Sequence, residues 1–314
     1  MKAYKIAVAG TGARAAEYIE NIKRLYAPLE TVCLYSPDEE EGAEFAARAG
    51  INVFLTDRSG LLTCGADILL NVLPEDERSD LSYYCLKNGL NVYSEGPPAP
   101  DLDKAWALVD ISKARDATFC CGPDAFLGGA ERSCLHYIND GVIGDVTGGE
   151  GYISPGREIY FITTLTNLIA PVSKVGYADI GGAKAAVAHL GDNDVSVTLL
   201  PAQDEKDNYL KITGTEGTIT VPDPMRFGGR ILYDGGDGEH ELPSLFGWGG
   251  KCLGLGLFDM AKALDSGSSP CCDCSRALHV LEVTQALADA AATGTVTEIQ
   301  STFDASLYLS DQLR

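Results

Sequence analysis

The stretch Lys5-Ile6-Ala7-Val8-Ala9-Gly10-Thr11-Gly12-Ala13-Arg14-Ala15-Ala16 constrains this chain more than any other. Ile6 to Ala9 form a short apolar run, the pattern of a strand covered on both faces. Gly10 permits a tight turn, Gly12 lets backbone approach a diphosphate, and Ala15 stands where a helix must pack close to its strand. Tyr18, Ile19, Ile22 and Leu25 then recur at helical spacing. The N-terminus of that helix would offer free N–H groups and a positive dipole end to phosphate. A strand, glycine turn and helix within the first 25 residues point to a dinucleotide site built from Gly10, Thr11, Gly12, Ala13 and Arg14.

Strand and helix patterns alternate onward to about residue 123, so a parallel sheet with crossover helices is expected. Thr31–Tyr35 reads as the second strand. Where such units place an acid on the adenosine ribose, this chain has Ser36, followed by Pro37 and Asp38. Ser36 removes a charge that would repel a 2′-phosphate, yet no Lys or Arg follows at once to hold one. NAD and NADP therefore both stay open. The fourth strand, residues 66–74, ends in a turn at Leu73 and Pro74 on the cofactor edge. The fifth, from Asn91, runs into Glu95-Gly96-Pro97, and Glu95 and Gly96 join the expected cofactor contacts.

After Pro123 the pattern changes. A helix over Phe126–Ile138 is followed by alternating segments at 145–153, 183–190, 194–200, 207–213 and 217–221, with a helix over about 159–169 among them and two more over 253–266 and 275–292. The fold class expected is α/β: a Rossmann domain over residues 1–123, then an α+β domain over 124–314 with an open-faced, mostly antiparallel sheet.

With 45 Asp and Glu against 24 Lys and Arg, the formal charge is −21, which argues against nucleic-acid backbones and anionic membranes. No apolar run of spanning length and no secretory leader is visible, so a cytoplasmic protein is expected. The ten cysteines read as small hydrophobes in a reducing compartment. Cys271, Cys272 and Cys274 lack the partners of a zinc site, and no metal is expected. His279 and His189 read as structural, Arg78 as a solvated surface cation.

The chain resembles the glucose-fructose oxidoreductase / inositol dehydrogenase / MocA (Gfo/Idh/MocA) family. The motifs that carry the resemblance are Gly10 to Arg14, Asn91 to Pro97, Phe126-Leu127-Gly128-Gly129-Ala130 and Ile138-Asn139-Asp140-Gly141-Val142-Ile143-Gly144. Further along they are Leu165 to Val172, Gly214-Thr215-Glu216-Gly217-Thr218 and Leu278 to Val283. The resemblance implies NAD(P)-dependent hydride transfer at a hydroxyl or carbonyl of a small sugar or polyol. It also implies a homo-oligomer paired through the C-terminal sheet. Three departures stand out. Gly96 replaces the Lys of the family's Glu-Lys-Pro motif. In the Asp-x-Gly-x-His-x-x-Asp motif, Gly156 and Tyr160 replace the first Asp and the His. The substrate loop is reduced to Ser154-Pro155-Gly156, and the region between Val175 and Ala185 is shortened as well. Tyr160 is the candidate proton-transfer group, beside Arg157 and Glu158, with Glu95 the second candidate. The competing reading is a catalytically inactive dinucleotide sensor or a structural partner of an active paralogue.

Overall fold

The computed structural model describes residues 2–180, 183–191, 195–202, 204 and 208–305. They form two compact units, one of residues 1–124 and 253–278, the other of residues 125–252 and 279–314.

The first unit opens with β1 (Tyr4–Ala9), α1 (Gly12–Leu25), β2 (Leu29–Tyr35), α2 (Glu39–Ala49), β3 (Phe54–Leu55) and β4 (Ile68–Asn71). It continues with α3 (Glu75–Lys87), β5 (Asn91–Ser94), α4 (Leu102–Arg115) and β6 (Phe119–Cys121). The six strands are parallel in the order β3-β2-β1-β4-β5-β6. Strand order reverses beside β1, so a crevice opens between the C-terminal ends of β1 and β4, where ligands of such sheets bind. Ile6 to Ala9 and Ile68 to Leu70 are fully buried, as strands covered on both faces must be. The helix boundaries follow local chemistry. Asp38 accepts the Glu41 amide at 2.9 Å and caps α2, while Gly50 ends that helix with φ at 70°. Asp101 likewise accepts the Lys104 amide at 2.9 Å and caps α4.

The second unit begins with a 3-10 turn at Ala125–Leu127, then α5 (Gly129–Asn139), β7 (Val146–Ile153), α6 (Glu158–Leu168), β8 (Val172–Ile180), β9 (Ala183–Leu190) and β10 (Val195–Pro201). Then follow β11 (Tyr209–Gly214), β12 (Thr218–Val221), β13 (Ile231–Asp234) and β14 (Glu239–Leu242). After α7 (Leu255–Ser266) and α8 (Cys274–Thr293), β15 (Thr297–Glu298) is the last strand among the described residues. The sheet runs β14-β13-β12-β11-β7-β10-β9-β8-β15, antiparallel except for the parallel pair β7–β10. Its core joins Val197, Leu199, Leu210 and Ile212 to Phe161 and Leu165 of α6 and Val280 and Val283 of α8. The Val175–Ala185 region lies largely in β8 and β9, where Lys174 pairs with His189 and Tyr177 with Ala186.

The sequence alone assigned residues 253–278 to the second domain; in the structure they cluster with the first. The reason is a set of specific contacts. Tyr26 stacks on Phe258 of α7 with ring centroids 5.3 Å apart, and Asn21 Nδ2 donates to the Leu253 carbonyl at 2.9 Å. The Cys121 amide donates to the Cys272 carbonyl at 3.0 Å, prolonging the sheet edge beyond β6. Asp124 accepts the amides of Gly254 and Gly256, both at 3.0 Å, so a carboxylate sits at the start of α7.

Asp124 is buried, and that burial, reinforced by the nearby Glu95 carboxylate, pushes its acid up to about 6 despite the two amides that favour the anion. A carboxyl group with a raised native pKa binds its proton more tightly folded than unfolded. Its contribution is therefore present in full below the unfolded value of 3.8 and is lost as pH rises through about 6, a loss of about 3 kcal/mol. Asp124→Asn should gain stability relative to the parent protein between pH 4 and 6. Urea unfolding across that range checks this; parallel stability curves for the two proteins would refute it.

Candidate active site at the C-terminal edge of the parallel sheet

Gly10 and Gly12 both adopt positive φ, 108° and 92°. A Cβ on Gly10 would lie 3.2 Å from the Leu73 amide nitrogen and 3.1 Å from Val72 Cγ2. A side chain there would push the β1 and β4 ends apart by a few tenths of an ångström and would strain the positive-φ turn. A Cβ on Gly12 would meet nothing within 4 Å, so its backbone borders open space. Ala15 is fully buried, as the close helix–strand packing requires.

The helix α1 that follows starts differently from α2, α3 and α4. Those carry Glu39, Glu40 and Glu41, then Glu75, Asp76 and Glu77, and Asp103 in their first turns. In α1 there is no acid in the first turn, and Thr11 at the N-cap forms no side-chain cap. Its N–H groups and positive end face the space above Gly12 uncompensated, which fits a dinucleotide diphosphate. Thr11 Oγ1 instead donates to Glu41 Oε1 at 2.6 Å, which brings an α2 carboxylate to the glycine loop. Ser36 is buried and its Oγ accepts the Asp38 amide at 3.2 Å, so this side chain shapes its own turn. Leu73 is buried and Pro74 is exposed at the start of α3. Asn71, fully buried, donates from Nδ2 to the Arg78 carbonyl at 2.9 Å and fixes that turn.

Arg14 and Glu95, which the sequence separates by 81 residues, form an ion pair, with Arg14 Nε 2.7 Å from Glu95 Oε1. The Tyr18 hydroxyl donates to the other carboxylate oxygen. Burial and the adjacent Glu95 charge push the Tyr18 phenol well above its ordinary range, so it stays protonated and remains a donor. Both oxygens of Glu95 are thus engaged in a clasp that ties α1 to the end of β5.

Arg78 is not the solvated cation expected from the sequence. It is 9% exposed, and its Nη1 donates to the Leu73 carbonyl at 3.2 Å. It stands in the first turn of α3, whose inner face carries it under the loop that follows β5. A Cβ on Gly96, whose φ is 86°, would lie 3.4 Å from Arg78 Nη2. Spacing gives no sign of this, because the α3 sequence has little apolar contrast between its faces.

Tyr160 belongs to the second unit, half-buried in the first turn of α6, with its amide donating to the Arg157 carbonyl at 3.1 Å. A cavity of about 520 Å³ lies in the same unit; Ile153, Leu199, Leu287 and Ala291 line it beside Glu158 and Thr284. Its alkyl walls suit apolar matter better than a polyol. His279 is fully buried. The Val172 amide donates to its Nε2 at 3.0 Å, so Nδ1 carries the proton toward the Ser301 carbonyl, also 3.0 Å away. His189 Nδ1 lies 2.9 Å from Ser196 Oγ on the neighbouring strand. Cys271, Cys272 and Cys274 are buried free thiols, and burial raises Cys274 to about 12. Among the described residues no helix is long and apolar enough to cross a membrane.

Residues 4–122 match the family model described as an oxidoreductase family with an NAD-binding Rossmann fold, GFO_IDH_MocA. A search of the curated proteins finds no match. Solved structures of the same fold include an oxidoreductase from Agrobacterium radiobacter in complex with NAD+, L-tartaric acid and magnesium. It is 14% identical, with 95% of this chain and 98% of that one covered and a TM-score of 0.79. Levoglucosan dehydrogenase in complex with NADH and levoglucosan is 14% identical over 95% and 100% of the two chains, with a TM-score of 0.80. The aldose-aldose oxidoreductase from Caulobacter crescentus, complexed with glycerol, is 14% identical over 95% and 100%, with a TM-score of 0.82.

Replacing Glu95 with alanine strips the buried Tyr18 hydroxyl of its acceptor and should cost about 1–3 kcal/mol. Glu95→Gln, which retains an acceptor, should cost less. Thermal unfolding of the two variants checks the order; an unchanged midpoint in Glu95→Ala would show that the clasp does not stabilise the unit.

Proposed function

We propose that this chain, whose residues 4–122 match the model of an NAD-binding Rossmann oxidoreductase family, is an NAD-dependent oxidoreductase acting on a hydroxyl or carbonyl of a small sugar or polyol. The observation that carries the reading is the open, uncapped and acid-free start of α1 above Gly12. A bound nicotinamide dinucleotide would supply the hydride acceptor or donor. Gly10, Thr11, Gly12, Ala13 and Arg14 would hold its diphosphate end, with Leu73, Pro74, Glu95 and Gly96 along the other half of the crevice. Levoglucosan bound to levoglucosan dehydrogenase and glycerol bound to the aldose-aldose oxidoreductase, which share this fold, support the substrate class.

The preference for NAD over NADP rests on charge. Glu41 is drawn to the glycine loop by Thr11, Asp38 caps the same helix, and no Lys or Arg occurs from Ser36 to Ala47. A ribose diol can donate to such carboxylates, whereas a 2′-phosphate would be repelled by them. Oxidation of a secondary alcohol also needs a base for the hydroxyl proton. Tyr160 takes that role in this reading, and Glu95, held by Arg14 and Tyr18, positions the glycine loop rather than moving a proton. Pairing of two copies through the nine-stranded sheet, and a cytoplasmic location, belong to the same reading. Glu150, Thr198 and Lys211, set side by side by the strand register, share a sheet face available for such pairing.

Calorimetric titration of the purified protein separates the outcomes. NADH should bind at least tenfold more tightly than NADPH, and Glu41→Arg should narrow that ratio at least tenfold. Equal affinity for both would remove the assignment to Glu41. Binding of neither would turn the reading toward a structural role. Where turnover is measured, Tyr160→Phe should lower kcat at least a hundredfold while leaving the NADH dissociation constant within about twofold.

A further inference from the structure

Arg78 is a buried cation with little to hold it. Nη1 has the Leu73 carbonyl at 3.2 Å, while Nε is shut off from solvent and has no hydrogen-bond partner. No carboxylate among the described residues lies within ion-pair distance of it; Glu95, next to Gly96, is committed to Arg14 and Tyr18, and burial holds the Cys121 thiol near Arg78 in its neutral form. The acidic residues of α3's own first turn, Glu75, Asp76 and Glu77, are exposed and turned to solvent. A guanidinium removed from water without a counter-charge is costly, and proteins rarely keep one unless something supplies the missing anion.

The surroundings show where that anion would come from. The position that a Cβ on Gly96 would take is 3.4 Å from Nη2 and 3.9 Å from Cζ of Arg78, and among the described residues no other atom beyond Gly96 and its two chain neighbours lies within 4 Å of it. Gly96 is itself half-exposed. The missing side chain therefore leaves a hollow whose wall is the guanidinium. The hollow sits at the C-terminal ends of β4, β5 and β6, across the strand-order reversal from the Gly10–Gly12 loop. The diphosphate has its own place at α1, so the group facing Arg78 belongs to the other half of the crevice, where a substrate would meet the reactive end of the cofactor.

We propose that Arg78 is the substrate-binding cation of this site and that the substrate bears a carboxylate, as in an aldonic, uronic or other hydroxy acid, rather than being a neutral polyol. The planar fork of guanidinium donors matches the two oxygens of a carboxylate. Gly96 is the complement of this arrangement: a longer side chain there would fill the hollow beside the guanidinium, and a basic one would repel it. The proposal rests on the oxidoreductase reading for the class of substrate, and on Arg78 and Gly96 alone for the charge.

The test uses the full-length protein, with D-gluconate, D-galacturonate and L-tartrate as carboxylate probes and D-sorbitol as the neutral control, titrated into both nucleotide-free and NADH-saturated samples. At least one carboxylate should bind tenfold or more tightly than sorbitol. Arg78→Met should abolish that preference and Arg78→Lys should weaken it at least threefold, with the NADH dissociation constant held within about twofold. Arg78→Met should also raise the melting temperature of the ligand-free protein, because it removes an uncompensated buried charge; a purely structural arginine would do the opposite. Carboxylate binding that depends on Arg78 in a protein that binds no NADH would keep this assignment and overturn the cofactor reading. NADH binding with no preference for any carboxylate, or a preference that survives Arg78→Met, would overturn this assignment and leave the cofactor reading in place. Should Arg78→Met fail to fold, Arg78→Lys and the parent protein's probe series still decide the matter.

Discussion

The close approach of backbone at Gly10 to the Val72–Leu73 peptide is the constraint on which the crevice depends. A Cβ at residue 10 would stand 3.2 Å from the Leu73 amide nitrogen, so the end of β4 would have to give by a few tenths of an ångström, and the left-handed turn would be strained as well. The approach aligns three things at one edge: the open backbone of Gly12, the acid-free start of α1, and the turn after β4 that Asn71 ties to the Arg78 carbonyl. Every group assigned to nucleotide or substrate in the first unit is reached from that edge.

Electrostatics at the edge runs against the protein as a whole. A chain with a formal charge of −21 keeps two arginines at this rim. Arg14 is matched by Glu95, and the pair also satisfies the buried Tyr18 hydroxyl. Arg78 is given no such match. The same region buries Asp124 at the start of α7, where burial, with the neighbouring Glu95 carboxylate, outweighs two amides and raises its acid to about 6. Buried polar groups of this kind are tolerated only when their partners are fixed. That explains why residues 253–278 return to the first unit: α7 supplies the amides for Asp124, and Phe258 supplies the ring for Tyr26.

At residue 96 the Arg78 guanidinium of α3 walls the space that a side chain would enter, with Nη2 3.4 Å from the position of its Cβ. In the second unit Gly156, with φ at 82° and no described atom beyond its chain neighbours within 4 Å of its Cβ position, occupies an open turn. The nearby apolar cavity is walled by core residues of β10 and α8 rather than by groups suited to a polyol.

Much was legible in the amino-acid order because it depends on local chemistry. The glycine turn, the alternation of strand and helix to residue 123, the buried cysteines and the buried His279 all follow from spacing and side-chain type. β14 escaped notice because its Glu-His-Glu-Leu sequence is largely exposed and carries no apolar alternation. The burial of Arg78, the clasp of Arg14, Tyr18 and Glu95, and the return of α7 to the first unit were decided only by tertiary structure. Each joins residues far apart in the chain, and whether a charge is solvated or buried depends on what folds over it. A sequence states that a cation is present; only the packing around it determines whether that cation needs a partner.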